Sequence, residues 1–224
     1  MPFITLEGID GAGKSTQARL VAAALKHAGH EVVSLREPGG VAISEKIRAL
    51  LLDPENKAMC DTCELLLYEA ARAQLVHEIV RPALAEGKVV VCDRFFDSTS
   101  AYQAFAGTVA REDADVANAL AVGDCVPDLT LVFDIDPAAA ASRREQRDDA
   151  PDRMEAKGLE YQQRVADGFR TISREHPERV RLVDATQPID AVFACVLAEL
   201  AGVGLAVSAD DARSALSALM APAE

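Results

Sequence analysis

The sequence lacks several features that mark common classes of protein. It has no tryptophan, only 4% aromatic residues, and no apolar run near the ~20 residues that a membrane-spanning helix needs. Lysine and arginine number 23 against 36 aspartates and glutamates, which gives a formal net charge of −13 at pH 7. Neither nucleic acid nor an anionic membrane attracts so acidic a protein, so we expect no nucleic acid and no membrane among its partners.

Cysteine is also scarce. There are five, an odd number, and the chain enters its first apolar segment without the basic-then-apolar pattern of a signal peptide. We therefore predict reduced thiols and a cytoplasmic location. Cys60 and Cys63 have the spacing of zinc ligands, but the other three cysteines fall in separate predicted elements. We favour spare thiols, and a metal or redox pair is the alternative.

A glycine-rich turn follows the first apolar segment. Residues 8–15 (GIDGAGKS) have the Gly-x4-Gly-Lys-Ser form of a phosphate-binding P-loop. Gly8 and Gly13 let backbone N–H groups approach phosphates, Lys14 supplies a cation, and the next helix turns its positive end toward the anion. The Ser15 hydroxyl suits Mg²⁺. We predict that ATP binds here, on Gly8, Ile9, Asp10, Gly11, Ala12, Gly13, Lys14, Ser15 and Thr16.

Apolar runs rich in β-branched residues alternate with segments of helical period. This alternation predicts one α/β domain with a five-stranded parallel sheet covered by helices on both faces. The predicted strands are Phe3–Glu7, Glu31–Arg36, Lys88–Cys92, Leu129–Ile135 and Arg179–Asp184. The predicted helices are Gly13–Ala28, Ala42–Leu52, Asp61–Glu86, Asp97–Phe105, Glu112–Val122, Pro137–Asp148, Glu155–Glu175 and Ile189–Leu200. We assign the domain to residues 1–203 and interpret 204–224 as a tail with a short amphipathic helix.

Further polar clusters lie at predicted strand ends or on the third long helix. They are Arg36–Gly40, Tyr68–Gln74, Asp93–Gln103, Arg143–Glu155 and Asp184–Pro188. A GTPase is disfavoured, because the one Asn-Lys pair, Asn56-Lys57, lacks the aspartate of the Asn-Lys-x-Asp base reader.

With the P-loop, these clusters resemble the thymidylate kinases, from about Phe3 to Leu200, and are close to bacterial members that carry an arginine-bearing lid. The resemblance implies a P-loop nucleoside-monophosphate kinase fold, a homodimer, and transfer of the γ-phosphoryl group of ATP to dTMP with Mg²⁺. A kinase for another deoxynucleotide and an ATP-gated binding module are the alternatives.

The nucleoside contacts are predicted from helix geometry and from the resemblance. Tyr68 and Arg72 are four residues apart on a helix, so a ring and a guanidinium can meet one flat ligand. A core tyrosine with a neighbouring arginine is the alternative. The resemblance assigns Tyr68 to stacking on thymine, Arg72 to its O4, and Arg36 and Arg94 to the dTMP phosphate. The other substrate contacts that it implies are Asp10, Ser98, Thr99, Tyr102 and Gln103.

The resemblance also implies the catalytic set. Position 11 is glycine, so an arginine must come from the basic run in a lid at about residues 143–155. We favour Arg147, with Arg153 as second candidate and Arg143 as the adenine contact; a solvated charge run is the alternative. The full predicted set is Lys14, Arg94, Arg147, Arg153 and Asp10, with Ser15 and Asp93 as metal ligands. The nucleophile, an ionised phosphate oxygen, needs no general base.

Overall fold

A parallel five-stranded sheet forms the centre of the computed structural model, which describes residues 2–145 and 153–220. The strand order is β2-β3-β1-β4-β5, and every neighbouring pair is parallel. The strands are β1 (Phe3–Glu7), β2 (Val32–Arg36), β3 (Val89–Asp93), β4 (Leu129–Asp134) and β5 (Val180–Asp184). The predicted fold class is therefore confirmed, and each strand lies within about two residues of its predicted limits.

Helices pack on the two faces of the sheet. Alternate strand residues enter two separate buried clusters: Ile4 and Val91 belong to one, Phe3 and Val90 to the other. This alternation follows from the two-residue repeat of a strand. The helices are α1 (Lys14–His27), α2 (Ala42–Leu52), α3 (Asp61–Leu75), α4 (Arg81–Ala85), α5 (Phe96–Thr99), α6 (Arg111–Val122), α7 (Pro137–Glu145), α8 (Leu159–Glu175), α9 (Ile189–Gly202) and α10 (Ala209–Met220).

Three helices differ from the prediction. The one expected over Asp97–Phe105 is α-helical only over Phe96–Thr99 and continues as a π-helical stretch at Ser100–Phe105. The helix expected over Asp61–Glu86 is divided, because a π-helical stretch at Val76–Val80 separates α3 from α4. Pro82 follows this stretch and has no N–H to donate within a helix. The helix expected from Glu155 begins instead at Leu159, after Gly158 with φ of +83°.

The segment after residue 203 packs onto the helix that follows the P-loop. Helix α10 lies against α1, and Leu205 and Ala215 are buried in the larger of the two core clusters. The partly buried Leu216 and Leu219 extend this contact. Within residues 2–145 and 153–220, no helix has the length and apolar character needed to cross a membrane.

Candidate active site

A cleft of about 280 Å³ opens at the carboxyl ends of the strands. It lies where β1 has β3 on one side and β4 on the other, which is the position where open α/β sheets bind ligands. The lining side chains come from the P-loop, from the segments after β2 and β3, and from α2, α3 and the start of the segment after residue 152. They are Asp10, Gly11, Gly13, Lys14, Ser15, Thr16, Arg36, Glu37, Pro38, Arg48, Leu52, Tyr68, Arg72, Asp93, Arg94, Ser98, Thr99, Tyr102, Gln103 and Met154.

One end of the cleft, which we call the phosphate end, is formed by the P-loop and Asp93. The Ser15 hydroxyl donates to Asp93 Oδ2 at 2.5 Å. Lys14 Nζ donates to the Ile9 carbonyl at 2.8 Å and lies 4.0 Å from Asp10 Oδ1. Burial and then the neighbouring Arg94 lower the pKa of Lys14 to about 8. A charged amine, a hydroxyl and carboxylate groups therefore meet at this end of the cleft.

Arg94 is held at this end by an unusual backbone and by four acceptors. Its φ of +71° is in the left-handed region that side chains rarely adopt, so its surroundings must fix it. Nη1 donates to the Gly8 carbonyl at 2.9 Å and to Ser98 Oγ at 3.0 Å. Nη2 donates to Asp10 Oδ1 at 2.6 Å and to the Tyr102 hydroxyl at 3.2 Å. Burial would raise the pKa of Asp10, but Arg94 and Lys14 lower it to about 2.

Glu7 stabilises the backbone that follows Arg94. Its buried carboxylate accepts from the Phe95 N–H at 2.7 Å and from the Ser98 hydroxyl at 2.5 Å. Burial raises the pKa of Glu7 to about 7. Because Phe95 directly follows Arg94, these bonds hold the backbone that presents the guanidinium.

The other end of the cleft, which we call the base end, is centred on a buried arginine. Arg72 is only 2% exposed, and its Nε donates to Glu37 Oε2 at 2.8 Å. Its Nη1 donates to Glu69 and to Thr99 Oγ1, the latter at 3.0 Å. Burial raises the pKa of Glu37 to about 7 in spite of Arg72. Tyr68 lines the cleft one helical turn away.

A third buried carboxylate, that of Glu64, lies beside the base end. Glu64 accepts from Arg153 Nη1 at 2.5 Å, from Lys157 Nζ at 3.2 Å and from Gln103 Nε2 at 2.9 Å. Arg153 Nε also donates to the Leu51 carbonyl at 2.7 Å. One acidic side chain thus joins α3, the π-helical stretch that carries Gln103, and the segment that begins at residue 153.

Comparisons with known proteins agree with this geometry. A family model described as "Thymidylate kinase" matches residues 6–196. The chain belongs to the thymidylate kinase family. A thymidylate kinase of Chlorobium chlorochromatii is 44% identical over 208 residues, which cover 88% of this chain and 93% of that protein. One of Trichlorobacter lovleyi is 45% identical over 208 residues, covering 89% and 98%.

A solved structure leads to the same family. The crystal structure of thymidylate kinase from Ehrlichia chaffeensis superposes with a TM-score of 0.73 at 34% identity, covering 89% of this chain and 98% of that one. Membership in the thymidylate kinase family confirms the predicted family, the enzyme class and the phosphorylation of dTMP.

Most residues predicted from the sequence for a thymidylate kinase site lie around this one cleft. Gly8, Ile9 and Ala12 do not line it. Ile9 and Ala12 are 3% exposed and face the core, and a Cβ on Gly8 would lie 2.7 Å from the Phe133 carbonyl oxygen. These three residues therefore set the backbone path of the P-loop and do not line the cleft. Arg36 lies at the rim, where its Nη2 donates to Glu45 at 3.0 Å.

The two lid arginines of the prediction that the structure describes, Arg143 and Arg153, make their contacts away from the cleft lining. Arg143 does not line the cleft; its Nη1 donates to the Ala185 carbonyl at 2.9 Å, which joins α7 to the segment after β5. Arg153 does not line the cleft either, because α2 and Glu64 hold it. Arg147 lies outside the described residues.

Helix α7 packs directly on the P-loop. A Cβ added at Gly11 would collide with the carbonyl oxygen of Ala140, and Gly11 has φ of +88°. Only glycine fits this position while α7 stays in place. The requirement for glycine at position 11 therefore has a steric cause.

Sequence reasoning missed the buried acids Glu7, Glu37, Glu64 and Glu69. Two of them carried a usable signal. Glu7 ends a strand that is otherwise apolar, and Glu64 is four residues before Tyr68, on the same helical face. Their partners are 39 to 93 residues away and could not be inferred from spacing.

Proposed function

We propose that the protein transfers the γ-phosphoryl group of ATP to dTMP within this cleft. The observation that carries the proposal is that one cleft holds a triphosphate cradle at Lys14 and, beyond Arg94, a buried guanidinium beside an aromatic ring at Arg72 and Tyr68. A nucleotide phosphate at Arg94 would put the base at Arg72. The two substrates would then meet between Lys14 and Arg94.

At the phosphate end, the P-loop amides and Lys14 bind the ATP phosphates, and Arg94 with Arg36 binds the dTMP phosphate through forked donors. Ser15 and Asp93 would hold Mg²⁺, and their hydroxyl and carboxylate oxygens are the hard donors that this ion prefers. Bound Mg²⁺ supplies positive charge to the phosphate oxygens. Among the described residues no group of three or more His, Cys, Asp or Glu side chains is placed to hold a metal, and Mg²⁺ commonly takes few protein ligands beside phosphates and water.

Catalysis then consists of placement and charge. The attacking oxygen of dTMP is already ionised, so the chain needs to orient it rather than deprotonate it. We assign Arg147, in a lid at about residues 143–155, to the charge that develops on the transferred group. Arg153 is the second candidate, and Arg143 is assigned to adenine.

At the base end, the Tyr68 ring stacks on thymine and Arg72 donates to its O4. Because Arg72 is buried among carboxylates, its donors keep one orientation. Tyr102 and Asp10 lie on the sugar side, where the hydroxyl of Tyr102 is 3.2 Å from Arg94 Nη2. The residues that we assign to dTMP are Asp10, Arg36, Tyr68, Arg72, Arg94, Ser98, Thr99, Tyr102 and Gln103.

We also propose that the chain forms a homodimer. Helices α3 and α6 pack against each other and expose large apolar side chains. On α6, Val116 is 70% exposed and Leu120 is 86% exposed, and on α3 Leu66 is 58% exposed. Burial of such side chains favours association. A cytoplasmic location stays a sequence-based prediction.

A coupled ADP-release assay against a panel of nucleoside monophosphates tests the function. We expect turnover with dTMP well above dCMP, dAMP and dGMP, and none with thymidine, which offers no phosphate to Arg94. Preference for another monophosphate would support the first alternative. ATP binding without turnover, and without a rise in melting temperature on adding dTMP, would support a binding module.

A further inference from the structure

The side-chain amide of Gln103 has one defined orientation. Gln103 is 3% exposed and lines the cleft, and its Nε2 donates to Glu64 Oε1 at 2.9 Å. An ionised carboxylate only accepts hydrogen bonds, so the amide nitrogen must face Glu64. Within residues 2–145 and 153–220 the Gln103 side chain makes this one hydrogen bond, through Nε2, which leaves Oε1 available to the cleft that Gln103 lines.

Glu64 forms ion pairs with two cationic side chains, so its carboxylate accepts hydrogen bonds and does not donate them. Its side chain is 3% exposed, and it pairs with Arg153 Nη1 at 2.5 Å and with Lys157 Nζ at 3.2 Å. Arg153 and Lys157 are partly buried beside it, and leaving either cation without this carboxylate would be costly. A flipped Gln103 amide would direct its oxygen at the carboxylate. The charge arrangement therefore fixes the polarity of Gln103.

The position of Gln103 makes this polarity relevant to the base. Thr99 and Gln103 are one helical turn apart, and Thr99 Oγ1 accepts from Arg72 Nη1 at 3.0 Å. The base end thus presents a donor, Arg72, beside an acceptor, Gln103 Oε1. Thymine and uracil offer the complement, a carbonyl O4 next to an N3–H. Cytosine reverses both, with an amino group next to a bare N3.

We propose that Glu64 is a specificity-determining positioning residue. By holding the amide nitrogen of Gln103, it turns Oε1 toward the cleft and selects pyrimidines that carry an N3–H over those with a bare N3. This inference rests on the proposed function, since it requires a pyrimidine monophosphate in the cleft. Glu64 itself does not touch the substrate.

The test is Glu64→Gln, which keeps the shape but lets the Gln103 amide turn. We expect kcat/KM for dTMP and for dUMP to fall together by roughly tenfold, as expected for one hydrogen bond, and the dTMP-to-dCMP ratio to fall by a similar factor. The KM for ATP should stay within about twofold. A parallel loss for dTMP, dUMP and dCMP would indicate general damage and overturn the proposal.

Further variants keep the test decisive. Gln103→Met removes the acceptor and should lower the dTMP-to-dCMP ratio at least as much; an unchanged ratio overturns the proposal. If Glu64→Gln does not fold, Glu64→Asp withdraws the carboxylate from Gln103 while it keeps a charge near the two cations, and we expect the same loss in the dTMP-to-dCMP ratio.

Glu160→Gln, in an exposed pair with Arg164, is the matched control and should leave kcat/KM for dTMP and the dTMP-to-dCMP ratio unchanged. A wild-type chain inactive on dTMP would refute the proposed function, whereas an active one with no shift in these variants would refute only this inference.

Discussion

The phosphate end and the base end of the cleft are built by different means. At the phosphate end, backbone groups and a short motif supply most contacts, and Arg94 itself donates to the Gly8 carbonyl and to Asp10 within that motif. At the base end, Arg72 is fixed by the buried carboxylates Glu37 and Glu69, which come from a loop and from its own helix. The phosphate end is thus built around one contiguous motif, to which residues of the turn after β3 are added, whereas the base end depends throughout on tertiary pairing of buried charges.

The largest effect is expected from Arg94→Ala at the phosphate end. Arg94 lies between the P-loop and Tyr102 and uses both ends of its fork. We expect kcat/KM for dTMP to fall by about 10³, as for the loss of a preorganised charged donor. Arg94→Lys should recover little, because lysine lacks the fork. Recovery of kcat/KM to near the wild-type value in Arg94→Lys would show that positive charge alone suffices. Steady-state kinetics with dTMP measure kcat/KM for both variants.

The lid arginines give the next largest effect. We expect Arg147→Ala to lower kcat by about 100-fold or more with little change in dTMP affinity, because the charge acts mainly in the transition state. Arg153→Ala should instead weaken dTMP binding and lower the melting temperature, because Arg153 is held by Glu64 and Leu51. A near-normal kcat for Arg147→Ala would move the catalytic role to Arg153.

At the base end, Tyr68→Ala tests stacking. We expect the KM for dTMP to rise by roughly tenfold, the usual size of one base–aromatic contact, with no matching change for ATP. Tyr68→Phe keeps the ring and is the control. Equal losses for both substrates would remove Tyr68 from base recognition.

Glu37 at the base end and Asp10 at the phosphate end should make stability depend on pH in opposite directions. Burial raises the pKa of Glu37 to about 7, next to Arg72 and Glu69, so the folded chain binds an extra proton that the unfolded chain releases above about 4.5. Stability from this group is therefore full below about pH 4.5 and is lost as pH rises through about 7. Asp10, with a pKa lowered to about 2, has the opposite effect on stability. Its contribution to the free energy of unfolding is present above about pH 3.8 and is lost as the pH falls through about 2.

Thermal unfolding from pH 5 to 8 measures the effect. Glu37→Gln cannot ionise, so its melting temperature should fall less over this range than that of the wild type, by roughly a few degrees. Glu7 has a pKa of about 7 as well, so part of the slope should persist. Identical slopes for the two proteins would contradict the burial of a titrating Glu37.

The smallest effect is expected away from the cleft. Cys60 and Cys63 are exposed, and both are free. We expect Cys60→Ser and Cys63→Ser to leave kcat, KM and melting temperature unchanged within error. Loss of activity, or release of zinc from the purified protein, would revive the metal or redox interpretation.

Much of the fold and of the phosphate end follows from local sequence. The strands, the P-loop and the turn after β3 are contiguous stretches whose pattern is set by near neighbours. The interrupted helix at Val76–Val80 was missed because its apolar period continues through Pro82, and the pattern carries no mark of a wider turn.

The base end shows what local sequence leaves out. Tyr68 and Arg72 could be predicted because they are four apart on one helix. The pairing of Glu64 with Arg153, across 89 residues, depends on how the segment after residue 152 returns to α3. A buried acid on a helix face signals that a partner exists, but the fold alone decides which residue it is.

The contact between Gly11 and Ala140 restricts how this enzyme can evolve. A side chain at position 11 would strike the backbone of α7, so no substitution there is accepted while that helix keeps its place. Under the proposed assignment, moving positive charge from the segment at 143–155 into the P-loop would therefore require changes at position 11 and in α7 together. One close approach of two backbones thus couples the sequence of the P-loop to the placement of that helix.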